Sequence, residues 1–189
     1  MEAWDVIVIG DGPAALQAAA EAAKTGASTL MMSASGLGDP GMAPLDGLSA
    51  ALQEASNRSH REDTIRCGAF LCDQDIVAAT TAEAIKQVDL LERRGFNFRR
   101  DQQGLPMVRK GPGHQQPRTV DAGSATARGL QQIGEEQCMR HGVIRRGDQV
   151  PLTLVQTNQS VEGLVVVDMV NGRIIGLQCK ALVFALKAN

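Results

Sequence analysis

Two clusters and one loop in this 189-residue chain have the residue types and spacing to do chemistry. The first is Gly10-Asp11-Gly12-Pro13-Ala14-Ala15, a glycine, a second glycine two positions on, and an alanine three beyond that. In this spacing Gly10 allows a tight turn, Gly12 lets backbone approach a pyrophosphate, and Ala15 sits where helix and strand come close. Pro13 and Ala14 open the helix whose free N–H groups would face the anion. The second cluster is His114 with Arg118, in the loop Lys110-Gly111-Pro112-Gly113-His114-Gln115-Gln116-Pro117-Arg118. An imidazole can exchange a proton near neutral pH and a guanidinium can clamp a carboxylate, yet the same residues read equally as a solvated loop histidine and a structural ion pair. The loop at residues 34–47 is rich in glycine and proline, and its bare backbone would approach a ligand closely.

These groups need elements to hold them. Val6-Ile7-Val8-Ile9 is β-branched throughout, the composition of a strand buried on both faces in a parallel sheet. A helix rich in small residues follows, from Leu16 to Lys24, stopped at Gly26. Ser28 to Met32 is a second strand, which completes a βαβ unit in about thirty residues. Ser33 stands at its end, where an acidic ribose partner is usual.

The rest of the chain frames the two loops. Leu48 to Leu52 is expected to begin a helix that frays into Gln53 to Arg61. From Asp63 the apolar spacing becomes helical, with Asp73 or Asp75 as N-cap and an end at Arg94-Gly95. Phe96-Asn97-Phe98 reads as a short strand, Asp101 to Gly104 as a polar turn, and Asp121 to His141 as another helix. Strands are expected at Val143–Arg146, Val150–Gln156, Gly163–Asp168, Arg173–Gln178 and Ala181–Ala185, with Asn171-Gly172 as a hairpin turn. The middle three form an antiparallel meander, and the last returns to the parallel sheet.

Composition excludes several classes. Charge is balanced, with 19 basic and 21 acidic residues, and four Phe, one Trp and no Tyr leave no stacking platform, so no nucleic-acid partner is expected. Cys67, Cys72, Cys138 and Cys179 form no CxxC pair and read as free thiols in a reducing compartment, without a metal. No apolar run approaches the roughly 18 residues of a membrane helix, and no signal peptide precedes Trp4.

Residues 6–16, 46–52, 62–64, 72–77, 91–98, Gly113-His114, 117–119 and 181–185 follow one another in an order that resembles the flavoprotein subunits of succinate dehydrogenase and fumarate reductase. L-aspartate oxidases share most of it. Cys72 to Val77 and Pro117-Arg118-Thr119 look like succinate dehydrogenase, whereas Gly68 to Asp73 leans towards L-aspartate oxidase. The resemblance implies an α/β fold, a Rossmann-like parallel sheet with helices on both faces and an antiparallel meander, all within one FAD-binding domain over residues 1–189. It implies FAD with its pyrophosphate at Gly10, Gly12, Pro13, Ala14 and Ala15. The ribose would lie near Ser33 and Ala34, the flavin end along Gly41, Met42, Asp46 and Gly47, the adenine beside Val150, and Ala185 behind the cofactor. A serine at the ribose position is usual there. Residues 34–47 and 99–118 would be the cofactor-side and substrate-side loops, with His114 and Arg118 facing a C4 dicarboxylate.

The departures from the family matter equally. Its covalent attachment histidine aligns with Pro40, so FAD is expected to be non-covalent; its Gln-Gly-Gly becomes Leu45-Asp46-Gly47, and its Ala-Thr-Gly-Gly becomes Ala185-Leu186-Lys187-Ala188. The capping domain, with its catalytic arginine, is expected to be absent. The resemblance therefore implies a hydride-transferring oxidoreductase of electron transport and the tricarboxylic acid cycle that is incomplete and inactive alone. A second chain would complete the dicarboxylate site, and an iron–sulfur subunit would hold the protein peripherally at the cytoplasmic side of a membrane. The alternatives are an L-aspartate oxidase-like flavoprotein and a non-catalytic flavin-binding module.

Overall fold

A computed structural model describes residues 2–35, 45–53 and 56–186. Two compact units divide the chain, Met1–Met42 with Leu130–Asn189, and Ala43–Gly129.

The first unit is built on a six-stranded sheet in the order β5-β2-β1-β8-β7-β6. Strand β1 (Glu2–Ile9) is central and lies parallel to β2 (Thr29–Met32) on one side and to β8 (Arg173–Phe184) on the other; β5 (Ile144–Arg146) extends the parallel part beyond β2. Ile7, Val8 and Ile9 are at most 1% exposed, as a strand covered on both faces requires. On one face Val8 and Met31 pack with Ala15, Leu16, Ala19 and Ala20 of α1 (Pro13–Lys24) and Cys138 of α4 (Thr126–Arg140). The small side chains of α1 let it lie flat. A Cβ on Gly134 of α4 would come within 2.8 Å of Leu16 Cβ, so the helices touch there. On the other face Ile7, Ile9, Leu30 and Met32 meet Leu164, Val166, Leu177 and Cys179. The helices of this unit thus cover one face, and the cluster on the other is made by strand side chains.

The meander differs from expectation in one respect. The expected strands 173–178 and 181–185 are a single twelve-residue β8. Its first half pairs antiparallel with β7 (Ser160–Asp168), which in turn pairs with β6 (Gln149–Thr157); its second half pairs parallel with β1, Ala181 opposite Val6. The two residues left between the expected strands, Cys179 and Lys180, continue the alternation. In a strand, successive side chains alternate faces, so Cys179 points into the core while Lys180 points out and meets Asp5 at 2.6 Å.

The second unit carries the remaining corrections. Residues 48–52 do not begin a helix: Leu48–Ser49 is a short strand, β3, antiparallel to β4 (Thr119–Val120), and Ala50 N–H donates to Arg118 O. Partners about seventy residues away override the helix-forming composition. The helix is the polar stretch itself, α2 (Asn57–Cys67), which buries only His60 and Asp63 and is laced by ion pairs such as Arg58–Glu62. Helix α3 (Gln74–Arg93) is capped by Asp73, whose carboxylate accepts from Asp75 and Ile76 N–H. Phe96 and Phe98 alternate inward with rings 4.4 Å apart, but residues 96–98 have no strand partner; Phe96 N–H returns to Leu91 O at the end of α3. Helix α4 starts at Thr126 rather than Asp121, because Asp121 and Thr126 close a turn, accepting from Gly123 and Ala122 N–H.

Candidate functional site

In the first unit, β1 ends in a turn that opens α1. Gly10 N–H donates to Met32 O and Ala185 N–H to Ile9 O, each at 2.8 Å, so the ends of β2, β1 and β8 are tied together at the glycine. Gly10 has φ +138°, and a Cβ there would lie 2.3 Å from Ala185 O, so both conformation and space demand glycine. Gly12 is the opposite case. With φ −79° and ψ 176° any residue fits, and a Cβ would meet nothing within 4 Å among the described residues. The fold does not need a glycine there. Helix α1 begins with Pro13 in its first turn, without a side-chain cap and without an acidic residue. The first intrahelical bond is Leu16 N–H to Gly12 O, which leaves the Ala14 and Ala15 amides without an intrahelical acceptor at the positive end of the helix.

A cavity of about 280 Å³ lies at this end of the sheet, lined by Ile9, Gly10, Asp11, Ser33, Ala34, Ser35, Pro151 and Leu186. Its walls are fixed by backbone bonds: Ser33 N–H donates to Arg146 O, and Gln149 N–H to Ser33 O. The Asp11 carboxylate, which would repel an anion, accepts from Ser35 Oγ at 2.8 Å. Ser33 Oγ donates to Ser35 O at 2.5 Å and keeps its lone pairs for a donor. From β6 it is Pro151 that lines the cavity; Val150 pairs with Val167. An open glycine, unpartnered helix amides and a serine at the end of β2 fit a dinucleotide, with the pyrophosphate against α1. Asp11, Ser35 and Leu186 fall within stretches that the sequence singles out but were not among its site residues, and Pro151 falls inside an expected strand with no signal of its own.

Gly41 and Met42 lie outside the described residues, as does Pro40. Asp46 and Gly47 belong to the second unit. The Asp46 carbonyl accepts from Arg109 Nη2, and a Cβ on Gly47 would meet Thr119 Cγ2 at 2.6 Å and Val120 O at 2.7 Å.

That unit also gathers His114 and Arg118. Arg118 is 2% exposed, and its Nη1 lies 2.8 Å from Oδ2 of Asp63, itself 1% exposed; Arg118 Nε and Nη1 nevertheless have no acceptor in hydrogen-bond geometry among the described residues. Burial pushes the Asp63 carboxyl up, but the Gln115 N–H and side-chain amide and the Arg118 guanidinium outweigh it and hold the group well below the usual carboxylate range. His114 Nδ1 is 3.3 Å from Gly111 N and its Nε2 is 3.3 Å from Ser49 Oγ. Burial, then the Arg118 charge, lowers its pKa, with Asp63 opposing. Close by, buried Asp121 receives Arg99 and Arg109 at 2.7 Å each. Asp63, Asp121, Arg99, Arg109 and His60 were invisible as a site. Their partners lie up to 55 residues away, and no spacing rule joins α2 to the 110–118 loop.

His60, 6% exposed, is pushed down to about 4 by burial and then by the Arg118 and His114 charges. A histidine with a depressed folded pKa stabilises fully above its unfolded value near 6.5, and that contribution is lost as pH falls from there through about 4. The expected loss is on the order of 3 kcal/mol across this window. Denaturant melts between pH 7 and 4 should show the slope, and His60→Leu should flatten it; an unchanged slope in the variant would assign it to other groups.

The chain matches the FAD binding domain family over residues 5–188. It is 30% identical to the fumarate reductase flavoprotein subunit of Mycobacterium tuberculosis, over 95% of this chain and 32% of that protein. Against the L-aspartate oxidase of Streptomyces coelicolor the identity is 36%, over 64% of this chain and 21% of the other. Among solved structures, a quinol fumarate reductase chain of E. coli superposes with a TM-score of 0.89 at 25% identity, covering 98% of this chain and 33% of that one. The chain spans about a third of the length of the fumarate reductase relatives.

Proposed function

The chain belongs to the FAD binding domain family, and from that premise we propose that it holds FAD for the redox chemistry of a succinate dehydrogenase or fumarate reductase type flavoprotein. One observation carries the reading: Gly12 leaves open the uncapped start of α1, where the Ala14 and Ala15 amides have no acceptor among the described residues. The pyrophosphate binds there, alongside Gly10 and Pro13. The ribose lies against Ser33 and Ala34, with Ala185 closing the turn behind it. The adenine lies at the start of β6, by Val150 and Pro151. Bound FAD would supply hydride-transfer chemistry towards a carbon of a C4 dicarboxylate. His114 faces that substrate, and Arg118 holds the 99–118 loop from beneath. An iron–sulfur subunit passes electrons onward and keeps the protein at a membrane surface; among the described residues no helix is long and apolar enough to cross one.

A second reading, an L-aspartate oxidase-like flavoprotein, is favoured by the higher identity to the Streptomyces protein. Titrating the chain with FAD and following flavin fluorescence tests the common core of both readings, and saturable binding is expected. Succinate and aspartate, added anaerobically to a complex with whatever chain completes the site, distinguish them by which bleaches the flavin.

Two further results are expected. Acid precipitation should leave the flavin in the supernatant, because Pro40 offers no nucleophile at the family's attachment position; yellow protein in the pellet would refute this. With reduced viologen dye and fumarate, the FAD-saturated chain alone should turn over no faster than free flavin. Positioning of reactants is worth roughly 7–11 kcal/mol of barrier, and the chain spans about a third of the length of the fumarate reductase relatives. Rapid turnover would show that the catalytic groups are already present.

A further inference from the structure

We propose that Asp63 is the positioning residue for His114, an inference that rests on the substrate-side role just given to that histidine. Asp63 projects from α2 and is 1% exposed. Its Oδ2 accepts from the Gln115 N–H at 2.8 Å and its Oδ1 from the Gln115 side-chain amide at 2.9 Å. That N–H belongs to the peptide joining His114 to Gln115, so the carboxylate grips the backbone at the histidine itself. The same carboxylate meets Arg118 at 2.8 Å, and Arg118 N–H and O are bonded to Arg109 O and Ala50 N–H. The loop is therefore pinned at residue 115 and again at residue 118. Arg66 closes the remaining side at 2.6 Å from a position more than half exposed.

With its peptide held, the His114 ring lies between Gly111 N–H and Ser49 Oγ. Gly111 N–H can only donate, so Nδ1, 3.3 Å away, accepts, and in the neutral ring the proton resides on Nε2. Nε2 then donates to Ser49 Oγ at 3.3 Å, which presents an imidazole N–H and a hydroxyl side by side. Thr119 Oγ1, at 3.5 Å from Nδ1, donates to the same nitrogen. A carboxylate buried on a helix thus holds the peptide of a loop histidine in the place where the Gly111 N–H selects its tautomer. The charged groups acting on the ring are Arg118, Asp63 and Arg109, with His60 near enough for its own titration to respond to His114.

The test is imidazole nitrogen NMR of the full chain, with amide exchange of Gln115. In the wild type His114 should be the Nε2–H tautomer, and the Gln115 amide should exchange slowly although the residue is exposed. Asp63→Ala should release both, giving a tautomer mixture and fast exchange. Asp63→Asn keeps one acceptor oxygen for the Gln115 N–H while leaving Arg118 without its counter-ion, so it should lower stability yet keep slow exchange and a single tautomer, a rescue that a purely electrostatic or bulk structural role would not allow. Arg66→Ala should change neither. An Nδ1–H tautomer in the wild type would overturn the proposal even if Asp63→Ala fails to fold, and so would an unaltered His114 in that variant. None of these readouts depends on FAD or dicarboxylate, so a failed flavin titration would leave the positioning result standing.

Discussion

Gly12→Asp is expected to abolish FAD binding while making the protein without FAD slightly more stable. Gly12 is the N-cap of α1, in an extended conformation that aspartate adopts without strain, and a Cβ there meets nothing within 4 Å among the described residues. Aspartate is among the best N-caps, whereas glycine is only a few tenths of a kcal/mol worse, so a small gain is expected from the cap and the helix dipole. That gain comes from accepting the Ala14 and Ala15 amides, the groups assigned to the pyrophosphate. The carboxylate would occupy the anion's place and repel it. A loss of at least about 4 kcal/mol, or roughly a thousandfold in affinity, is expected when two charge-assisted bonds are lost to a like charge. Gly10→Ala should behave in reverse: its Cβ would collide with Ala185 O, at a φ costing on the order of 1–3 kcal/mol or more, so the fold weakens before binding is measured. Flavin fluorescence titration and thermal melts of the two variants check the pair. Unchanged FAD affinity in Gly12→Asp would reduce the motif to a turn.

The contrast between these glycines shows what the sequence could and could not reveal. The strand, turn and helix at residues 6–24 are legible because each step is local: four β-branched residues, a glycine spacing, an alanine face. The Asp73 cap and the hairpin at Asn171-Gly172 are legible for the same reason. Only coordinates separate Gly10, required by the fold, from Gly12, which the fold does not require. Where the sequence reading failed, the cause was partners far along the chain. Residues 48–49 became a strand because residues 119–120 pair with them, and α2 escaped notice because a helix that buries a histidine and an aspartate leaves no apolar period. The continuous β8 is split at Cys179 and Lys180 in the expected strands, although these two residues continue its alternation. In the second unit the loop carrying His114 and Arg118 was recognised, but not the buried carboxylate that holds it.

That carboxylate makes Arg118→Ala the substitution with the largest expected cost in stability. Asp63 and Arg118 are 1% and 3% exposed at the side chain, so removing the guanidinium leaves a buried anion with only the Gln115 donors and the half-exposed Arg66. Breaking a buried pair in this way costs about 3–5 kcal/mol at neutral pH, far above the 0–1 kcal/mol of the surface pairs on α2 and α3. The pH dependence follows from the depressed Asp63 pKa. In the wild type its contribution is complete above the unfolded value near 3.9 and declines as pH falls through the lower folded value. In Arg118→Ala burial is left to raise the carboxyl, so the group protonates earlier and the penalty is relieved as pH falls. The difference between the two proteins should therefore be greatest near pH 7 and shrink towards pH 3. A double replacement, Asp63→Leu with Arg118→Leu, removes both charges together and should recover much of the loss, since a buried pair exchanged for apolar side chains is often neutral. Urea denaturation of the wild type, Arg118→Ala and the double variant at both pH values reads all three expectations. A penalty independent of pH, or a double variant no better than Arg118→Ala, would mean that Arg118 stabilises the unit by packing rather than by neutralising Asp63.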